Sequence, residues 1–129
     1  MDEPKPILIL DDDPDLRTMV ARILEKDGFR VITAEDGHAA LAVCDAAMPG
    51  GIVVDLMLPN MDGEAFLSEL RRRHPEHDVP VVLVTASAIR REVAVRAGVI
   101  ASLEKPFDPE DLREVLRSCC GEHRRSLRP

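Results

Sequence analysis

Tryptophan and tyrosine are absent, and phenylalanine occurs only three times in 129 residues. The chain therefore has no aromatic platform on which nucleobases could stack. An excess of basic charge is missing too. Against 24 acidic residues there are 17 basic ones, and the formal charge of −7 has the wrong sign for a phosphate-backbone footprint. We expect no direct nucleic-acid contact. No apolar run approaches the ~20 residues a bilayer span needs. The opening Met1-Asp2-Glu3-Pro4 puts acid where a secretory signal carries positive charge. The expected protein is cytoplasmic and makes no membrane contact. Cysteine is sparse: Cys44, Cys119 and Cys120 form no CxxC or Cys/His spacing, so they read as small helix-face hydrophobes rather than a disulfide or zinc framework. His38, His74, His77 and His123 are scattered among polar neighbours and read as surface residues.

What the chain does have is alternation. Short apolar runs recur at Ile7–Leu10, Val31-Ile32, Ile52–Val54 and Val81–Val84, with a weaker one at Ala101–Leu103. Their length and β-branching predict strands, three of them buried on both faces. Helical periods lie between them. Leu16, Met19, Val20, Ile23 and Leu24 keep the spacing of one apolar stripe, in a helix that starts after Asp13 with Pro14 in its first turn and stops near Gly28. Further helices are predicted over 37–48, 64–74, 87–97 and 109–120. Five βα units in 129 residues make one α/β domain with a parallel sheet covered on both faces. The domain is expected over 1–120, followed by a short, basic, disordered tail at 121–129.

In such a sheet, ligands sit beyond the carboxyl ends of the strands. There the sequence puts Asp11, Asp12 and Asp13 after the first strand, Asp55 after the third, Thr85 at the end of the fourth and Lys105 after the fifth. Taken singly, Asp13 is a helix cap, an aspartate after a strand is a turn former, and a lysine is a solvated charge. Together they are harder to explain, because clustered like charges are costly unless a cation joins them. An all-oxygen donor set suits Mg²⁺, with Asp12 and Asp55 ligating directly and Asp11 through a water. A carboxylate beside such an ion can act as a nucleophile toward phosphorus, and Thr85 and Lys105 could then donate to the phosphoryl oxygens.

The segments ILILDDDPDLR (7–17), VVDLMLPNMDG (53–63), PVVLVTA (80–86) and LEKPF (103–107) resemble, in order and near-register, the motifs of bacterial response-regulator receiver domains. The resemblance spans about residues 6–120. It implies a flavodoxin-like (βα)5 three-layer sandwich with strand order 2-1-3-4-5. By position it makes Asp55 the phosphoacceptor, Asp11 and Asp12 the acidic pair, the backbone carbonyl of Met57 a further metal ligand, and the Lys105–Pro106 bond cis. It implies phosphoryl transfer to Asp55 from a sensor histidine kinase or phosphotransfer protein, with Mg²⁺. The domain is then a two-component switch, with only weak autophosphorylation and autodephosphorylation activity of its own. It would be either a stand-alone receiver or a piece of a larger regulator or hybrid kinase.

Three departures from that pattern stand out. Ser102 occupies the fifth-strand position where the family usually carries its relay aromatic. Met57 and Ser87 hold the two positions that tune phosphoryl lifetime, and bulky Met57 beside weakly basic Ser87 predicts slow self-dephosphorylation. Ile89, Val93, Val99 and Ile100 make an apolar surface candidate, so a downstream protein or a second copy could dock on the face formed by the fourth helix, fifth strand and last helix. Two other readings compete. One is a phosphatase or phosphotransferase using an aspartyl-phosphate, which Asp11 and Asp13 mimic in spacing. The other is a pseudo-receiver that binds partners without taking phosphate.

Overall fold

A computed structural model describes residues 4–55, 61–85 and 99–124. Five parallel strands, β1 (Ile7–Leu10), β2 (Val31–Ala34), β3 (Gly51–Val54), β4 (Val81–Thr85) and β5 (Ala101–Glu104), form one sheet in the order β2-β1-β3-β4-β5. The expected strand order is the observed one. Four helices are described: α1 (Pro14–Lys26), α2 (Gly37–Ala46), α3 (Gly63–Arg73) and, at the C-terminal end, α4 (Pro109–Cys120). The helix predicted over 87–97, with Ile89 and Val93, lies outside the described residues, as do Met57 and Ser87.

Strand alternation sorts the core into two layers. Leu8, Leu10, Ile52, Val54 and Leu83 pack with Leu41, Phe66 and Leu67 of α2 and α3. Ile7, Ile9, Val53, Val82 and Val84 pack with Val20, Leu24, Leu112 and Leu116 of α1 and α4. Every residue of β1, β3 and β4 is buried, as expected for strands covered on both faces. The edge strands are half open, and β5 alternates between half-buried and exposed residues.

An aspartate caps each described helix: Asp13, Asp36, Asp62 and Asp108 accept from backbone N–H groups of the first turn, among them Asp15 at 3.0 Å and Ala65 at 2.7 Å. Gly28 ends the α1 turn at φ 94°, a conformation that only glycine adopts cheaply. The helix boundaries differ from expectation where proline acts. α2 stops at Ala46 rather than residue 48, because Pro49 disfavours helical backbone at Met48. α3 stops at Arg73, one residue before His74-Pro75.

The chain expected to fray from 121 is instead docked as far as Arg124. Gly121–His123 form a 3-10 turn, and Arg124 pairs by an antiparallel bridge with Phe29. The Arg124 guanidinium donates to the Asp27 carbonyl at 2.8 Å and lies 5.9 Å from the centre of the Phe29 ring. The histidines divide. His38 and His77 are exposed. His74 bonds Asp45 at 2.7 Å, and His123 accepts the Lys5 N–H at 3.0 Å and covers Gly50, so these two are structural and partly buried.

Candidate functional site

Parallel pairing brings the residues that follow the strands to one rim. Register aligns Leu10 of β1 with Val54 of β3, so Asp11 and Asp55 emerge side by side, and the Asp55 N–H donates to the Leu10 carbonyl at 3.1 Å. Thr85 is the last residue of β4. Register pairs it with Glu104, and the Lys105 N–H donates to its carbonyl at 2.8 Å, which starts the lysine side chain at the same rim. The next peptide bond, Lys105–Pro106, is cis as expected.

The Lys105 ammonium spans two carboxylates, with its Nζ 2.8 Å from Asp11 Oδ2 and 2.7 Å from Asp55 Oδ2. Asp11 is 2% exposed, Asp55 5% and Thr85 1%, whereas Asp12 is exposed at the mouth. The other Asp11 oxygen accepts the Asp13 N–H at 2.9 Å, and Arg17 donates to the Asp11 carbonyl at 2.7 Å. Burial works against the lysine's charge. Hydrogen bonds and charge from Asp11 and Asp55 outweigh it and hold the ammonium above the ordinary lysine pKa.

Asp11, Asp12 and Asp55 can each turn one oxygen to within 4.8 Å of the others, and among the described residues this is the only such cluster of metal-ligating side chains. The donors are all hard oxygens, and they match the preference of Mg²⁺. Asp13, the third acid of the segment, caps α1 and is not part of this cluster. Ser102 is exposed on β5 opposite Leu83. Val99 packs against the core, while Ile100 is 53% exposed.

These features define an α/β domain with an acidic cradle at the strand ends, closed by one lysine. Comparison with known proteins names the class. Residues 7–117 match the model of the response regulator receiver domain, and the chain belongs to that family. It is 33% identical over 129 residues to Response regulator Rre1 of Synechocystis, covering 98% of this chain and 56% of that protein. Chemotaxis protein CheY4 of Vibrio cholerae superposes with a TM-score of 0.82 at 30% identity, covering 89% of this chain and 98% of that one. The receiver domain of NtrX from Brucella abortus superposes with a TM-score of 0.79 at 35% identity, with coverage of 89% and 98%. The chain spans about half the length of the curated relatives it matches.

Proposed function

We propose that Asp55 is the phosphoacceptor of a two-component signalling switch, charged by a phosphohistidine on a sensor kinase or phosphotransfer protein. The observation that carries this reading is the Lys105 ammonium held at 2.7–2.8 Å from both Asp55 and Asp11. It keeps a positive charge beside a buried carboxylate, where a transferring phosphoryl group would gather negative charge. In the transfer, an Asp55 oxygen forms a bond to phosphorus, the phosphorus–nitrogen bond breaks, and the departing imidazole takes up a proton. Lys105 leaves the unphosphorylated carboxylate to pair with a phosphoryl oxygen, and the Thr85 hydroxyl donates to another. Asp11, Asp12 and Asp55, with the Met57 carbonyl, are the groups that would hold Mg²⁺. When bound there, the ion supplies charge neutralisation for the phosphoryl oxygens. The domain then works as a stoichiometric acceptor whose added charge, about −2 by analogy with other phosphorylated side chains, biases its signalling surface.

The test is incubation with Mg²⁺ and a small acyl phosphate, read by intact mass. Wild type is expected to gain one phosphoryl group and Asp55→Ala none. A gain by Asp55→Ala, or none by wild type, overturns the assignment. Met57 and Ser87 set the lifetime in this proposal: an apolar side chain hinders the in-line approach of water and serine supplies no strong base. Met57→Asn should therefore shorten the half-life of the phosphorylated form. A wild-type half-life that is already short, and that Met57→Asn leaves unchanged, removes that role.

A further inference from the structure

The end of α4 carries two adjacent thiols in contrasting surroundings. Cys120 is fully buried, and its sulfur sits over Gly51 so closely that a Cβ added there would meet Sγ at 2.7 Å. Cys119 is half-buried and lines a groove of ≈ 440 Å³ with Ile100, Leu103, Glu114, Val115 and Ser118. The two Sγ atoms lie 3.0 Å apart, closer than sulfurs that merely pack. Cys44 is remote from them, on the buried face of α2 in the other core layer.

We propose that Cys119 and Cys120 form a peroxide-sensitive dithiol, in which Cys119 is oxidised first and Cys120 closes the product to a disulfide. The environment divides the roles. Hydrogen bonding with Cys120 lowers the Cys119 pKa against a smaller opposing effect of burial. The same hydrogen bond and then burial push the Cys120 thiol far up, which keeps it protonated as the donor. Burial, with help from the charge of Asp45, raises the Cys44 thiol to about 11, so it serves as an internal control.

In the first step the Cys119 thiolate attacks one oxygen of a hydroperoxide. A sulfur–oxygen bond forms, the oxygen–oxygen bond breaks, two electrons pass from sulfur to peroxide, and the departing alkoxide or hydroxide takes a proton. In the second step Cys120 sulfur attacks the sulfenic sulfur. The sulfur–sulfur bond forms, and hydroxide leaves with the Cys120 proton as water. The sum is dithiol plus hydroperoxide giving disulfide, alcohol or water, and one further water.

Closing this bond has a structural consequence. Neighbouring Cα atoms are about 3.8 Å apart across a trans peptide, short of the ~4.4–6.8 Å that disulfides usually span. The last turn of α4 must open to accommodate it. Cys120 then leaves its seat over Gly51, and the 3-10 turn that follows, with Arg124 on Asp27, is displaced along with it.

The experiment treats the folded chain with a small excess of hydrogen peroxide and reads the tryptic peptide 118–124, which contains both thiols. The expected result is loss of two hydrogen atoms from that peptide, no change at Cys44, faster amide exchange over 109–124, and reversal of all of these by a dithiol reductant. Cys119→Ser should abolish the response. Cys120→Ala should leave a sulfenic acid on Cys119 that dimedone captures. Should Cys120→Ala fail to fold, alkylation of wild-type Cys119 before peroxide replaces it and must block disulfide formation. Oxygen addition without a disulfide, a Cys119 link between two chains, oxidation of Cys44 in preference, or inertness to peroxide would each overturn the proposal. A disulfide that leaves exchange over 109–124 unchanged overturns the opening of the helix.

Discussion

Lys105 is the residue on which the site's charge balance turns. Asp11 and Asp55 are nearly inaccessible, and like charges so placed repel unless a cation lies between them. Lys105→Met removes that cation and leaves two buried carboxylates facing each other. The expected loss is about 1–3 kcal/mol of folding stability near neutral pH, measured as a fall in the urea midpoint with an unchanged slope. The pH dependence has a definite sign. A raised lysine pKa gives stabilisation that is complete below the unfolded value of 10.5 and fades only as pH rises through the folded value. The deficit of Lys105→Met relative to wild type should therefore be constant from about pH 7 to pH 9 and shrink only in the lysine titration range. Millimolar Mg²⁺ should restore part of it by binding the folded state alone. A variant as stable as wild type without Mg²⁺ would mean that the two acids do not need the ammonium.

At the scale of elements, two contacts beyond its apolar stripe tie α4 to the rest of the fold, and neither is visible in local sequence. The first joins it to the end of α1. Asp27 is 6% exposed and accepts from Arg117 at 2.6 and 2.9 Å. Burial alone would raise its pKa, but the Arg117 hydrogen bond and the charges of Arg124, Arg117 and Arg113 bring it below the usual carboxylate value. A lowered carboxylate pKa adds stability above the unfolded value of 3.8 and loses it as pH falls through the folded one. Asp27→Asn should cost about 1–2 kcal/mol at neutral pH, reduced from a fully buried pair because Arg117 is partly solvated, and the deficit should vanish in acid. The second contact joins α4 to β3, where Cys120 fills the notch left by Gly51. Gly51→Ala should destabilise by about 1–3 kcal/mol through overpacking. Adding Cys120→Ala should recover much of that loss, a coupling a double-mutant cycle measures directly. Strictly additive costs would show that the methyl is accommodated elsewhere.

These same contacts join residues far apart in the chain, which local sequence does not reveal. The Asp13-Pro14 start of α1, the Gly28 stop and the three doubly buried strands were all legible, because each follows from the chemistry of a few neighbouring residues. The rim is legible too, since parallel topology dictates which residues follow the strands, and it points to Asp11, Asp12, Asp55, Thr85 and Lys105. Arg124 was not. Locally it belongs to a basic stretch that predicts a disordered tail, because its partners Asp27 and Phe29 lie 97 and 95 positions earlier in the chain. Cys119 and Cys120 read as ordinary helix-face residues, since nothing in a CC dipeptide shows that both sulfurs turn toward each other.

For the whole molecule, the sheet order gives the site one rigid side and one looser side. β1 and β3 are central, flanked by strands and covered by both core layers, and Asp11 and Asp55 follow them directly. Lys105 follows β5, an edge strand paired only with β4 whose residues alternate between half-buried and exposed. Edge strands with few buried contacts open at lower free energy than the core they border. Amides of Leu8, Leu10, Ile52 and Val54 should therefore exchange only on global unfolding, and those of Leu103 and Lys105 considerably sooner. The acids then form a fixed template, and the ammonium is the partner that can change position. Loading the site with a phosphoryl mimic such as beryllofluoride and Mg²⁺ gives Lys105 a new anion to hold. Its effect on exchange should appear first in β5 and the segment around Pro106, with β1 already at its ceiling. Protection gained chiefly in β1, or amides in β5 as slow as those in β3 before loading, would reverse this division of the site into template and mobile arm.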